Sequence, residues 1–207
     1  MGQLKPRKTG KRRYRNRFDL VCEGSKTEPQ YFGWLKQHCD SELIHLAVST
    51  MRTGQSSPGA LINKATEISS EVSYQSGDQL WIILDKDRWT VEQFRDLKNW
   101  KNRKPKRHHV AVSNPKFEYW VLMHGDNAPG HLSATKCSEL YSEFMDSKKG
   151  FDGSRLSISS VIKASRRSRQ KFESSLDGTK SEFDFVPDNC GSTLFLLIDE
   201  IGPYLND

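Results

Sequence analysis

Acidic side chains follow two apolar segments of this sequence, at positions where they could hold a metal ion or transfer a proton. Glu23 comes directly after Phe18, Leu20, Val21 and Cys22 of a mostly apolar segment, and Asp85 and Asp87 follow the apolar residues 80–84. Carboxylates that lie close together repel one another, and a divalent cation removes that repulsion. Carboxylate oxygens are ligands that suit Mg²⁺ and Mn²⁺. The pattern therefore predicts a metal centre, provided that the two segments lie side by side.

Both segments have the composition of strands that are buried on both faces, as in a parallel sheet. Gly24 permits a sharp turn after the first strand, and Thr27 with Gln30 predicts a capping box at the start of the next helix. Glu23 then lies at the carboxyl end of a strand, where open α/β sheets bind their ligands. Each acidic motif has a simpler interpretation on its own, as a surface glutamate or as a helix-capping D-x-D turn. Their occurrence together after two buried strands favours a metal site.

The rest of the chain alternates between the two kinds of hydrophobic periodicity. Strands are predicted at residues 18–23, 43–50, 79–84 and 109–113. Helices are predicted at residues 28–39 and 59–74, from residue 90 onward, and at residues 116–124, 135–148, 157–172 and 192–205, with a polar loop at 174–189. This alternation predicts an α/β fold with a mostly parallel sheet, helices on both faces and a helical C-terminal part.

Positive charge is concentrated in two segments. The net charge is +6, and residues 1–17 carry eight basic residues and no acidic one, which leaves 24 basic and 26 acidic residues in the remainder. We expect residues 1–17 to form a flexible basic arm and residues 18–207 to form the folded domain. Such an arm commonly binds nucleic-acid phosphates, and a solvated tail is the alternative. The candidate nucleic-acid contacts are Arg12, Arg13, Arg15 and Arg17 of the arm, and Arg103, Lys104, Lys106 and Arg107 of the second segment.

Several classes of protein are disfavoured by composition. The four cysteines are scattered without a C-x-x-C pair, so neither a zinc site nor a disulfide framework is indicated. No apolar run approaches the length of a membrane span, and the basic N-terminal residues precede no apolar segment typical of a signal peptide. We expect a cytoplasmic protein without a membrane partner.

The order of the acidic motifs resembles the Toprim fold, which occurs in topoisomerases, primases and nucleases and pairs a glutamate after its first strand with a D-x-D after its third. The sequence more closely resembles the RloB family, Toprim-like proteins found with restriction and other phage-defence loci. That resemblance covers most of the chain. It depends on Arg12-Arg13, residues 21–32 (VCEGSKTEPQYF), residues 84–88 (LDKDR) and residues 113–124 (SNPKFEYWVLMH). The family usually has cysteine or another small residue where this chain has Lys116.

The resemblance implies a nuclease-like site that uses Mg²⁺ or Mn²⁺, with Asp85, Asp87 and Glu23 as ligands and Glu118 as a fourth candidate. Glu118 could instead be a helix N-terminal acid stabilised by the helix dipole. Glu23 is also a candidate general acid or base. Lys26 is a candidate phosphate contact that stabilises charge in the transition state, or a solvated turn lysine. His124 contacts either a phosphate or a backbone carbonyl.

These features predict a metal-dependent nuclease of the Toprim type that acts on DNA or RNA in anti-phage defence. An ATPase or another defence-operon protein is a candidate partner. Two other functions fit the same sequence. One is a non-catalytic nucleic-acid-binding or regulatory protein of a defence operon, and the other is nucleotidyl or phosphoryl transfer on a small nucleotide.

Overall fold

The structure is a computed structural model that describes residues 14–52, 54–86, 89–125, 128, 130–146, 150–174 and 182–206. Its strands are β1 Asn16–Cys22, β2 Ile44–Thr50, β3 Gln79–Asp85, β4 His108–Asn114 and β5 Gly191–Ser192. Its α-helices are α1 Thr27–Gln37, α2 Pro58–Glu71, α3 Val91–Arg103, α4 Phe117–Leu122, α5 Ala134–Met145, α6 Ile158–Ser174 and α7 Phe195–Ile201. Short 3-10 helices lie at Gly153–Arg155, between α5 and α6, and at Gly202–Tyr204, after α7.

The five strands form one sheet in the order β2-β1-β3-β4-β5. The pairs among β2, β1, β3 and β4 are parallel, and β5 is antiparallel to β4. Since β1 and β3 are neighbours, with Cys22 opposite Ile83, the condition for a shared acidic site is met. The predicted α/β fold, with its mostly parallel sheet and helical C-terminal part, is confirmed.

The sheet is buried on both faces, which explains why its central strands are rich in apolar residues. Because side chains alternate along a strand, Leu20 and Ile83 face one core while Val21 and Ile82 face the other. The first core is closed by α1, α4, α5, α6 and α7, and the second by α2, α3 and residues 183–186. None of the described helices combines the length and apolar character that crossing a membrane requires.

Three features near the ends of the described chain differ from the predictions. β1 begins at Asn16, whose backbone N–H donates to the Leu43 carbonyl at 2.9 Å, so the strand includes the end of the predicted arm. The last helix is shorter than residues 192–205, because Ser192 is paired in β5 and Thr193 Oγ1 accepts from the backbone N–H of Val112 at 2.9 Å. β5 was not predicted, since two residues are too few to show a periodicity.

The capping box predicted at the start of α1 was wrong. Lys26 occupies the N-cap position, and no side chain caps the helix there. Thr27 Oγ1 instead donates to Glu118 Oε1 at 3.1 Å, so the hydroxyl connects α1 to α4.

Candidate functional site

The carboxyl ends of the central strands bring the predicted acidic residues to one edge of the sheet. Glu23 directly follows β1, and Asp85 is the last residue of β3. Glu118 lies in the first turn of α4, which begins just after β4. All three side chains are half-buried. Asp87 lies outside the described residues, so its predicted role stays a prediction.

Backbone N–H groups fix two of these carboxylates and connect their elements. Glu23 Oε2 accepts from the backbone N–H of Asp85 at 3.0 Å and from the Trp89 indole Nε1 at 3.4 Å. Asp85 Oδ1 in turn accepts from the backbone N–H of Phe117 at 2.7 Å, at the positive end of α4. The end of β1 is thereby tied to β3, and the end of β3 to the helix that carries Glu118.

A fourth carboxylate, Glu28, completes the group, and sequence reasoning missed it. Glu28 lies in α1, is only 3% exposed, and its Oε2 accepts from the backbone N–H of Gly24 at 2.5 Å. Since Thr27 next to it donates to Glu118, α1 is tied both to α4 and to the turn after Glu23. We call the carboxylates of Glu23, Glu28, Asp85 and Glu118 the acidic edge.

The position of Glu28 was visible in the sequence as a helical spacing. The buried residues of α1 are Glu28, Tyr31, Phe32 and Leu35, which share one face of the helix. The apolar stripe that begins at Tyr31 therefore predicts an inward position three residues earlier. A carboxylate at an inward position needs a partner or a function, which marks it as a candidate site residue.

Burial and the neighbouring charges both act on Glu28, the buried member of the acidic edge. Burial raises the pKa of Glu28 well above its usual value, and the charges of Asp85, Glu23 and Glu118 raise it further. The hydrogen bond from Gly24 opposes this rise. Burial, with a contribution from Glu28, also raises the pKa of the neighbouring Cys22 thiol. Both shifts favour the protonated form, of the Glu28 carboxyl and of the Cys22 thiol.

The donor chemistry of the acidic edge fits a hard divalent cation, because all four side chains offer carboxylate oxygens and their charges repel one another. Across the described parts of the chain, however, no group of three or more acidic, histidine or cysteine side chains is arranged to hold a metal ion. The predicted ligand set includes Asp87, which is outside those parts.

Comparison with known families identifies the family of this chain. The family model described as RloB-like protein matches residues 18–201, which run from β1 to the last residue of α7. The chain belongs to the RloB-like family. No curated protein and no solved structure matches it. The four residues of the acidic edge lie within the matched range, and the match assigns no chemistry to them.

Two other residues of the matched motifs have different surroundings in this RloB-like protein. Lys26 is exposed at the start of α1, which leaves both of its interpretations open. His124 is 6% exposed, and its Nδ1 lies 3.1 Å from the carbonyl oxygens of Trp120 and Val121. Burial lowers the pKa of His124 to about 4. The backbone-carbonyl interpretation of His124 agrees with this geometry.

The basic segments lie at the amino ends of the strands, opposite the acidic edge. Arg15 and Arg17 are at the amino end of β1, and residues 103–107 precede the amino end of β4. Strands of seven residues at about 3.3 Å per residue place this edge roughly 20 Å from the acidic edge. Arg12 and Arg13 lie outside the described residues.

The predicted basic contacts differ in how far the fold already uses them. Arg17 forms a two-point ion pair with the buried Asp19, at 2.7 and 2.9 Å, which neutralises its charge locally. Arg15 is exposed and donates to the Ser41 carbonyl at 2.9 Å. In the second segment Arg107 lies over the Tyr74 ring at 4.9 Å. Among the predicted contacts, Arg103, Lys104 and Lys106 are exposed and have no acidic partner in the described residues.

Proposed function

We propose that this RloB-like protein is a Toprim-type, metal-dependent nuclease that acts in anti-phage defence, with the acidic edge as its active site. The observation that supports this proposal is the grouping of four carboxylates at the carboxyl ends of parallel strands. Burial, and then the charges of the neighbouring carboxylates, disfavour the ionised form of Glu28, as its raised pKa indicates. Groups that a fold keeps at such a cost are candidates for function.

The residues that would hold Mg²⁺ or Mn²⁺ are Glu23, Asp85, Asp87 and Glu118. A bound cation would supply an activated water at neutral pH and would neutralise charge on the phosphate. Glu23 is oriented by two N–H donors, from Asp85 and Trp89, so its carboxylate has a fixed direction for proton transfer. Lys26, exposed three residues further on, supplies a positive charge for the phosphate.

A cleft beside the acidic edge gives room for the nucleic acid. It has a volume of about 570 Å³ and is lined by Trp89 and by the loop and first turn of α2, from Gly54 to Ala60. Trp89 connects this cleft to Glu23 through its indole N–H. A nucleotide next to the scissile phosphate would occupy this cleft.

The basic segments would hold the nucleic acid away from the cleavage point. A nucleic-acid strand that contacts both the acidic edge and the basic segments must span roughly 20 Å, which is about six nucleotides at 3.4 Å each. We therefore expect cleavage to require substrates longer than about six nucleotides.

The test compares the parent protein with Glu23→Gln on labelled DNA and RNA, in Mn²⁺, in Mg²⁺ and in EDTA. Glutamine keeps the shape and can accept from the same two N–H groups, but it cannot take up a proton. We expect cleavage only with metal, and a loss on the order of a hundredfold in the variant with unchanged binding. Glu42→Gln, an exposed carboxylate in the turn before β2, is the matched control. Equal cleavage rates for the parent and Glu23→Gln would remove Glu23 from the mechanism.

Calorimetric Mn²⁺ titration tests the metal site separately. The Asp85→Asn, Asp87→Asn protein should lose Mn²⁺ binding, because amides are much weaker ligands than carboxylates. Asparagine at position 85 can still accept from the Phe117 N–H, so the start of α4 should persist. Unchanged Mn²⁺ affinity in this protein would refute the metal site.

A non-catalytic nucleic-acid-binding protein is the second candidate. It is favoured by one observation, that the described carboxylates already accept backbone hydrogen bonds and do not form a three-ligand group. This function predicts nucleic-acid binding by the parent without cleavage in any metal, and no effect of Glu23→Gln on affinity.

A further inference from the structure

A cleft at the basic edge has features of a second ligand site. It lies between the C-terminal halves of α2 and α3, next to the start of β4, and its volume is about 370 Å³, the size of a small-ligand pocket. It is lined by hydroxyl groups, by cations and by two stacked rings, from Thr66, Ser69, Ser70, Arg103, Lys104, His108 and Trp100. The acidic edge is roughly 20 Å away, at the other end of the strands.

The inner wall of this cleft holds a buried polar atom that lacks a partner. His108 is 5% exposed, and its Nε2 has no hydrogen-bond partner among the described residues. The ring is fixed at two points. It stacks on Trp100 with centroids 4.2 Å apart and an angle of 6°, and its Nδ1 lies 3.0 Å from the Trp100 carbonyl oxygen. Buried polar atoms without partners are rare in folded proteins, so this one requires an explanation.

The geometry defines what His108 can bind. The Trp100 carbonyl accepts hydrogen bonds only, so Nδ1 carries the ring hydrogen and Nε2 presents a lone pair. Burial lowers the pKa of His108, which favours this neutral form. The partner of Nε2 must therefore be an O–H or N–H donor.

The rim of the cleft has positive charge that the fold does not use. Lys98 and Lys101, on the same helix, are engaged by the segment after residue 181. Lys98 donates to the Glu182 carbonyl at 2.8 Å, and Lys101 pairs with Asp184 at 2.7 Å. Arg103 and Lys104 are exposed and have no acidic partner in the described parts of the chain. Their charges are available to an anion.

The positive charge that attracts an anion to this cleft would come from Arg103 and Lys104 and not from the helix ends. Both helices present their C-terminal ends to the cleft, and the dipole there is negative, which repels anions. Replacing Arg103 and Lys104 should therefore remove anion binding without a residual contribution from the helices.

We propose that this cleft binds a nucleotide, with its phosphate on Arg103 and Lys104 and a base or sugar N–H or O–H group on His108 Nε2. Since Nε2 is almost fully covered, the ligand reaches it by displacing side chains of the rim. The source of the nucleotide is either a free mononucleotide or the end of a nucleic-acid chain. The site does not depend on nuclease activity.

The test measures equilibrium binding in EDTA, which excludes metal-dependent binding at the acidic edge. The ligands are the four ribonucleoside monophosphates, adenosine, inorganic phosphate, and short single-stranded oligonucleotides with and without a 5′-phosphate. The proteins are the parent, Arg103→Ala with Lys104→Ala, and His108→Phe. The control is Lys163→Ala with Arg166→Ala, which removes two exposed cations from α6.

We expect the parent to bind a monophosphate or a 5′-phosphorylated end at least tenfold more tightly than inorganic phosphate or the unphosphorylated counterpart. Binding of the free monophosphate identifies a mononucleotide as the ligand, and binding of the 5′-phosphorylated oligonucleotide identifies the end of a nucleic-acid chain. The Arg103→Ala, Lys104→Ala protein should lose at least tenfold in affinity while the control keeps the parent value. His108→Phe preserves the stack on Trp100 and should reduce nucleotide affinity to that of inorganic phosphate.

Three results would overturn the proposal. The first is no saturable binding of any monophosphate or phosphorylated end to the parent. The second is equal affinity for inorganic phosphate and nucleotide, and the third is an equal loss in the cation variant and the control. Because Arg103 and Lys104 are exposed, their replacement leaves the test valid even if His108→Phe fails to fold.

Discussion

The buried carboxylate of Glu28 should make the stability of this protein fall as pH rises. Glu28 has a usual pKa of 4.5 and a raised pKa in the folded state. Between those two values the unfolded chain has lost the proton and the folded chain keeps it. The free energy of unfolding then decreases with pH, by up to about 1.4 kcal/mol per pH unit for one proton. The stabilising effect is complete below the usual pKa and is lost as pH rises through the folded pKa.

The perturbation that isolates this effect is Glu28→Gln. Glutamine cannot ionise, and its amide oxygen can still accept from the Gly24 N–H. As pH rises above 4.5, we expect the parent to lose stability relative to the variant, by at most about 1.4 kcal/mol for each pH unit. Urea denaturation at each pH, in EDTA, measures the two curves.

Exposed Glu42→Gln supplies the control, and its curve should follow that of the parent. If Glu28→Gln and the parent show parallel stability from pH 5 to 7, Glu28 is not the buried, repelled carboxylate that the geometry describes. Saturating Mn²⁺ adds a second comparison. A cation at the acidic edge should stabilise the parent more at pH 7 than at pH 5, because more carboxylate charge is then present.

Three further predictions concern other parts of the chain. A Cβ at position 24 would lie 2.8 Å from Glu28 Oε2, so Gly24→Ala should cost about 1 kcal/mol or more in urea denaturation, and less when Glu28 is also replaced by alanine. The pKa of His124 is lowered to about 4, so stability should fall by up to about 3 kcal/mol as pH drops from 6.5 to 4, and His124→Gln should flatten that curve. Deletion of residues 1–13 removes six basic residues but no described part of β1. Fluorescence anisotropy should then show a smaller salt slope for DNA binding, by about 0.9 for each phosphate that the arm neutralises, and an unchanged slope would exclude the arm.

The parts of this fold that sequence predicts well are those determined by local periodicity. Residues 18–22 of β1 and 79–84 of β3 are buried, and their largely apolar composition indicates burial on both faces. Their carboxyl ends followed from the same runs, so Glu23 and Asp85 were placed correctly at strand ends. Their adjacency depended on strand order, which composition does not determine.

Other features depend on contacts between distant residues. The short strand β5 exists because Ser192 pairs with Ser113, 79 positions earlier, and no local pattern announces that pairing. Arg17 was assigned to a flexible arm because its neighbours are basic. In the structure it is a strand residue, and period-two alternation places it on the same face as Asp19, which explains their ion pair.

The carboxylates of the acidic edge serve the fold and the proposed chemistry at once. Asp85 fixes the first N–H of α4, and Glu28 fixes the N–H of the turn that follows Glu23. Removing such an acceptor leaves a backbone donor unsatisfied, at a cost of about 1–3 kcal/mol, so alanine substitutions would confuse loss of structure with loss of charge. Amide substitutions separate the two, because they keep an acceptor and remove the charge. If the acidic edge is a nuclease site, amide substitution should abolish cleavage and metal binding with little loss of stability. If its carboxylates are purely structural, the same substitutions should change neither cleavage nor metal binding.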